Sequence, residues 1–151
     1  MWQRIQTIYL VLALIATVVC LSLPVGYFIP EGMGGETTMY NLWKVLPEGQ
    51  FDFSIWPMYV LLLLTCPLCL VAIFAFQRRM LQSRLCVFCI LLDIAWIVAY
   101  AVFGYVAIDE GVSFKPAFAA CLPIVCIVLF LLARRGILND ERLVRSTDRL
   151  R

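Results

Sequence analysis

The sequence predicts an all-α fold: a single integral membrane bundle of four transmembrane helices occupying residues 1–151. Three observations carry this. Of the 151 residues, 64% are hydrophobic and 15% charged, whereas soluble domains run near half apolar and a quarter charged. The apolar residues gather into four stretches, about 5–23, 56–76, 85–107 and 116–133. Each is close to the ~20 residues that a helix rising ~1.5 Å per residue needs to cross a hydrocarbon core. All four read apolar on every face without period-two alternation, which selects helices over barrel strands. No repeat relates the two halves, so an inverted-repeat transporter has no support.

The first stretch, 5–23, follows one positive residue, Arg4, and is longer than the core of a signal peptide. The "TVVC" at 17–20 has bulky Val19 where a lipoprotein site wants a small residue, so the expectation is a retained helix. The segment 24–55 forms a long outer loop with turn signals at "PEGMGG" and "LPEGQ". Between them "ETTMYNLWKVL" predicts a hairpin or a surface helix. Phe51, Phe53, Trp56 and Tyr59 predict an aromatic belt at the outer headgroups.

The second and third stretches are joined by an arginine-rich loop, 77–84, and a short outer segment, 108–115, leads into the fourth. Pro67 and Pro123 predict kinks in the second and fourth helices. Gly136 is expected to end the fourth helix, with Asn139 or Asp140 capping a short basic tail helix within 134–151. Glu141 and Arg145 have the favourable i, i+4 order within it.

Orientation follows from the basic residues. Arg4, Arg78, Arg79, Arg84, Arg134, Arg135, Arg142, Arg145, Arg149 and Arg151 fall on one side, and only Lys44 and Lys115 on the other. The positive-inside rule then places both termini and the 77–84 loop in the cytoplasm.

The candidates for chemistry are few. The chain has no histidine, which excludes bis-His haem, His-based zinc catalysis and Ser–His or Cys–His nucleophile pairs. "GMGG" at 32–35 precedes no helix carrying a P-loop lysine, and nucleic-acid binding has no support beyond the basic tail. Cys66, Cys69, Cys86 and Cys89 form two Cys-x-x-Cys pairs with ribbon-like spacing. Counted from the inner helix ends, Cys69 lies roughly 12 Å in, Cys89 about 6 Å in and Cys86 at the inner surface. Depths so different do not converge easily on one tetrahedral ion, and four thiolates are costly to bury. A disulfide-forming role would need outer-loop cysteines, and there are none. Cysteine as a small, soft packing residue is the simpler reading.

Asp93 is the one acidic residue inside a predicted helix, and an intramembrane carboxylate is a functional candidate by default. Its expected partners are Thr65, a Trp N–H, Arg84 or a charged group on another chain. A proton path would show further polar residues, and the helices offer little beyond Thr17, Ser22 and Thr65.

The two ends are the most distinctive sequence. "MWQRIQTIYLVLALI" and "RRGILNDERLVRSTDRLR" resemble a domain-of-unknown-function family of small four-helix inner-membrane proteins of Gram-negative bacteria. The likeness concentrates in Arg4-Ile5-Gln6-Thr7 and in Arg135-Gly136-Ile137 through Asp148-Arg149-Leu150, and its layout covers the whole chain. It implies an inner-membrane location and the same topology, but no activity, substrate, cofactor or catalytic residue.

The expected function is therefore a non-enzymatic, multi-pass inner-membrane protein. Its role would be that of an accessory or scaffold subunit of a larger complex, such as translocation or biogenesis machinery. The expected contacts with partner subunits or anionic lipid are Asp93, Arg78, Arg79, Arg84, Arg134, Arg135, Arg142, Arg145 and Arg149. A thiol or metal centre at the two cysteine pairs is the alternative, and a small proton-linked transporter using Asp93 is the second.

Overall fold

A computed structural model describes residues 2–32, 34–106 and 112–148. Four helices dominate it: α1 (Trp2–Ser22), α2 (Trp56–Phe74), α3 (Arg79–Val106) and α4 (Leu122–Asp148). All four are long and apolar enough to cross a membrane. Each turns large apolar side chains outward, among them Ile8, Ile15, Leu63, Leu64, Val98, Val102, Ile124 and Val128. A water-soluble monomer rarely shows so much continuous apolar surface.

The helices form a ring in chain order. α1 packs against α2 and α4, and α3 packs against α2 and α4. Small residues and thiols line the seams, so the backbones come close. At the end that holds the chain termini, Leu10, Ala13, Cys69, Ala72, Cys86, Cys89, Cys126, Phe130, Ala133 and Ile137 form one buried cluster. At the opposite end Cys20, Val25, Phe28, Met39, Ile55, Met58, Leu62, Trp96 and Ala119 form a second.

The fold is not purely helical. The connections α1–α2 and α3–α4 meet at this second end in a five-stranded antiparallel sheet of order β4-β3-β2-β1-β5. Its strands are β1 (Gly26–Pro30), β2 (Thr37–Met39), β3 (Lys44–Val45), β4 (Phe51–Asp52) and β5 (Val112–Pro116). β2 and β3 realise the hairpin reading of "ETTMYNLWKVL". Strands of two to five residues carry almost no alternation for a sequence to display, and the longest pairing, β1 with β5, joins two connections far apart in the chain. Gly26, paired with Met39 on one side and Pro116 on the other, leaves room for an aromatic ring. A Cβ there would lie 2.7 Å from the Phe114 ring.

Asn41, fully buried, fastens the sheet to the bundle. Its Nδ2 donates to the Cys20 carbonyl in the last turn of α1 (2.6 Å), and its Oδ1 accepts from Trp96 Nε1 on α3 (2.9 Å). One side chain thus satisfies a helix-terminal carbonyl and a buried indole together. Trp96 stacks on Tyr100, with centroids 5.1 Å apart, and the Tyr100 hydroxyl donates to the Val25 carbonyl just before β1 (2.9 Å).

Four expectations about the helices are corrected. Residues 79–84 are the first turns of α3 rather than a loop, because Arg, Met, Leu and Gln are good helix formers and charge marks depth, not backbone shape. α4 runs unbroken to Asp148, so there is no separate tail helix. Gly136 does not end it; it sits where α1 crosses closely, and a Cβ there would lie 3.1 Å from Gln6 Cγ. Close packing offsets the ~1 kcal/mol that glycine costs inside a helix. Pro123 occupies the first turn of α4, after a short 3₁₀ turn at Phe118–Cys121, where no intrahelical N–H is needed. Only Pro67 lies in a helix interior, in α2. The 107–111 part of the second connection, and Arg149, Leu150 and Arg151, lie outside the described residues.

Replacing Asn41 tests the fastening. Asn41→Ala orphans a buried indole N–H and a helix-end carbonyl, and should cost about 2–4 kcal/mol from two groups at ~1–2 kcal/mol each. Thermal unfolding in detergent reads it. Asn41→Asp keeps the indole bond but turns an acceptor toward the Cys20 carbonyl, and should recover less than half of the loss.

Candidate functional site

Two places in the bundle gather polar side chains: a buried layer midway along the helices, and the arginine-rich end that holds the termini.

The buried layer contains Thr17, Thr65 and Asp93, all essentially inaccessible. On α3, Asp93 lies between Cys89 of one cluster and Trp96 of the other. Two of its expected partners, Thr65 and a Trp N–H, are engaged elsewhere. The Thr65 hydroxyl donates to the Leu61 carbonyl one turn back (3.0 Å), and Trp96 Nε1 is bound to Asn41. Neither carboxyl oxygen of Asp93 has a hydrogen-bond partner among the described residues. At 0% exposure the side chain does not reach the outer surface of the bundle. A buried, unpaired carboxyl is costly to keep in a fold.

The cysteines are placed differently from their sequence depths. α3 begins at Arg79, so Cys86 lies two turns inside it, about 10 Å above its start, and not at the surface. Cys69, Cys86 and Cys89 therefore join Cys126 in one buried cluster, while Cys66 is half-buried outside it. All seven thiols are free. Among the described residues no three His, Cys, Asp or Glu side chains are arranged to hold a metal ion. Several thiols instead reach across helix seams to main-chain oxygens. Cys69 Sγ on α2 donates to the Leu10 carbonyl on α1 (3.3 Å), Cys126 Sγ on α4 to the Ala13 carbonyl (3.5 Å), and Cys20 Sγ on α1 to the Ala119 carbonyl (3.4 Å). Cys126 also meets the Thr17 hydroxyl at 3.6 Å. These are weak bonds, suited to small groups between closely packed helices.

At the other site, α1 and α4 are tied by a side-chain bond. Gln6 Nε2 donates to Asp140 Oδ2 at 2.7 Å, and Arg79 Nη1 on α3 donates to the Asp140 carbonyl at 3.3 Å. Asp140, offered by the sequence as a cap, is instead the junction of three helices. Nothing in the composition of α1 marks Gln6 for this; the signal was a polar residue at a predicted helix end, 134 positions from its partner. Arg145 and Glu141 make the one ion pair among the described residues (2.9 Å), in the predicted i, i+4 order. Arg78, Arg84, Arg134, Arg135 and Arg142 make none, and Arg134 Nε is buried without a partner. Arg149 lies outside the described residues.

The two contacting ends, Gln6 and its neighbours on one side and Gly136–Asp140 on the other, are the segments that carry the family resemblance. A family described as a domain of unknown function, DUF4293, matches residues 2–150. The chain belongs to that family. No curated protein sequence matches it. Membership in DUF4293 thus agrees with the resemblance read from the two ends and assigns no chemistry to Asp93 or the thiols.

Removing the orphaned carboxyl should stabilise the bundle. Asp93→Ala is expected to raise the stability of detergent-solubilised protein by about 1–2 kcal/mol, as two unsatisfied oxygens leave and only a small cavity remains. An upward shift of the thermal midpoint is the readout. A fall of the same size would mean that Asp93 makes a favourable contact in the working protein.

Proposed function

We propose that the chain is an integral protein of the bacterial inner membrane, with both termini cytoplasmic. In this reading it is a non-enzymatic accessory or scaffold subunit that presents the end of α4 and the start of α3 to a partner subunit. The observation that carries this is the form of α4. Its apolar run ends at Ala133, yet the helix continues unbroken through Asp148. Fifteen further residues at ~1.5 Å each project about 22 Å beyond the apolar section.

This projection is built as a surface for contact. Leu143 (63% exposed) and Val144 (47%) stay uncovered on it, and Met80 (47%) and Leu81 stay uncovered on the adjoining start of α3. A cleft of about 450 Å³ between the two is lined by Gln77, Arg78, Arg79, Met80, Glu141, Val144 and Arg145. Exposed apolar side chains ringed by arginines suit an amphipathic acidic segment of another protein. The Gln6–Asp140 and Arg79–Asp140 bonds hold the projection rigid on the bundle, so little order would be lost on docking. The arginines at this end also favour the cytoplasmic side.

Asp93 supports a second reading, a small proton-linked transporter, because a costly carboxyl with no structural partner calls for a function. Proton uptake into proteoliposomes that is unchanged in Asp93→Asn would dismiss it.

Affinity purification from native membranes tests the main reading. A reproducible co-purifying chain is expected, crosslinking through a photoreactive residue at Val144. Arg78→Gln together with Arg145→Gln should cut its recovery severalfold. A free monomer under mild solubilisation, with no crosslink, would refute the scaffold role. A tag at the carboxyl end should be protease-sensitive only in inside-out vesicles.

A further inference from the structure

α4 carries a second basic feature, on a face distinct from the α3–α4 cleft. Leu131, Arg134, Arg135, Leu138, Asn139 and Arg142 line an open groove of about 470 Å³. Their spacing of three and four residues stacks them on successive turns of one helix face. The groove begins where the apolar run ends: Leu131 belongs to that run, and Arg134 follows its last residue, Ala133. Among the described residues none of the three arginines has an ion pair. Of the nearby acids, Glu141 is ion-paired with Arg145, and Asp140 is hydrogen-bonded to a neutral amide, Gln6, which leaves its charge unneutralised. Three arginines outnumber that one acid, so the groove is net positive and apolar at one end.

We propose that this groove binds an anionic phospholipid, an inference that rests on the membrane reading above. The phosphodiester sits at Arg134 and Arg135, whose planar guanidinium forks match phosphate oxygens. The acyl chains run back past Leu131 toward the apolar section. The headgroup lies over Leu138 and extends to Asn139 and Arg142. A glycerol headgroup offers hydroxyls there and a second phosphate offers charge, so both suit an amide and a guanidinium. A choline headgroup brings its cation against Arg142 and is disfavoured. The groove thus divides the work: Arg135 binds the phosphate that all these lipids share, and Arg142 selects by headgroup.

The test is native mass spectrometry of the full chain in detergent, titrated with phosphatidylglycerol or phosphatidylcholine of matched acyl chains. The intact protein should retain phosphatidylglycerol on the order of tenfold better. Arg142→Gln should shrink that preference severalfold by weakening phosphatidylglycerol alone. Arg135→Gln should weaken both lipids. Both side chains are exposed, so neither change threatens the fold. Equal retention of the two lipids overturns the proposal, as does a preference that survives both variants. Displacement of the lipid by millimolar inorganic phosphate also overturns it, since the groove would then be a free-anion site. So does occupation of the groove by a co-purifying protein, read as crosslinking at Asn139. Release of the protein from membranes by alkaline carbonate would instead defeat the membrane reading itself.

Discussion

The rest of the structure depends on how one buried amide, Asn41, reconciles a helical bundle with a sheet. A helix that ends against other protein leaves carbonyls that need donors. α1 ends beneath the sheet, and Asn41 supplies a donor to Cys20 while accepting from Trp96 on α3. The short strands could not stand alone, since two-stranded ribbons of this length are marginal. Anchored at Asn41 and Tyr100, and backed by Phe28, Phe114, Met39 and Ile55, they become a lid on one end of the bundle. The opposite end is closed by a different device, the meeting of Gln6, Arg79 and Asp140. Between these polar closures the helices are joined by small residues, thiols and apolar contacts.

What the sequence made legible follows from the range of the signals involved. Four long apolar runs are local, and their lengths located α1 and α2 to within a few residues. Helix boundaries were missed wherever charge stood in for backbone geometry. Charge at 79–84 and 134–148 predicts a loop and a separate tail because it breaks the apolar run, yet α3 and α4 are continuous through it. Gly136 illustrates the same error. Its intrinsic preference argues for a break, but the Gln6 side chain seated against it supplies a tertiary reason to continue. The sheet was hidden because its longest pairing joins Gly26–Pro30 to Val112–Pro116, a match no local window contains.

The candidate site inverted the ranking that spacing suggested. Two Cys-x-x-Cys pairs are a conspicuous pattern, but helical geometry splits the first, Cys69 to a carbonyl on α1 and Cys66 to a half-exposed position, while Cys86 and Cys89 both pack into the buried cluster. The thiols are explained by packing. Asp93 is not, because nothing around it answers its charge or its hydrogen-bonding capacity. Natural proteins keep such a group at a cost in stability, and that cost is most often found where a protein works. The sequence could identify the carboxyl as an outlier; only the packing reveals that it faces inward and alone.

The contact between Gln6 and Asp140 joins the first helix to the last. A ribosome delivers α1 before α4, so the ring cannot close until α4 has been made. Until then α1 waits with Gln6 and Thr17 uncovered, and the Ala13 carbonyl lacks the Cys126 thiol that later meets it. Assembly of this small protein is therefore governed less by any single helix than by the arrival of the fourth. A chain cut short before Gly136 would keep the Cys126 contacts to α1 but lose the close approach at Gly136 and the Gln6–Asp140 bond.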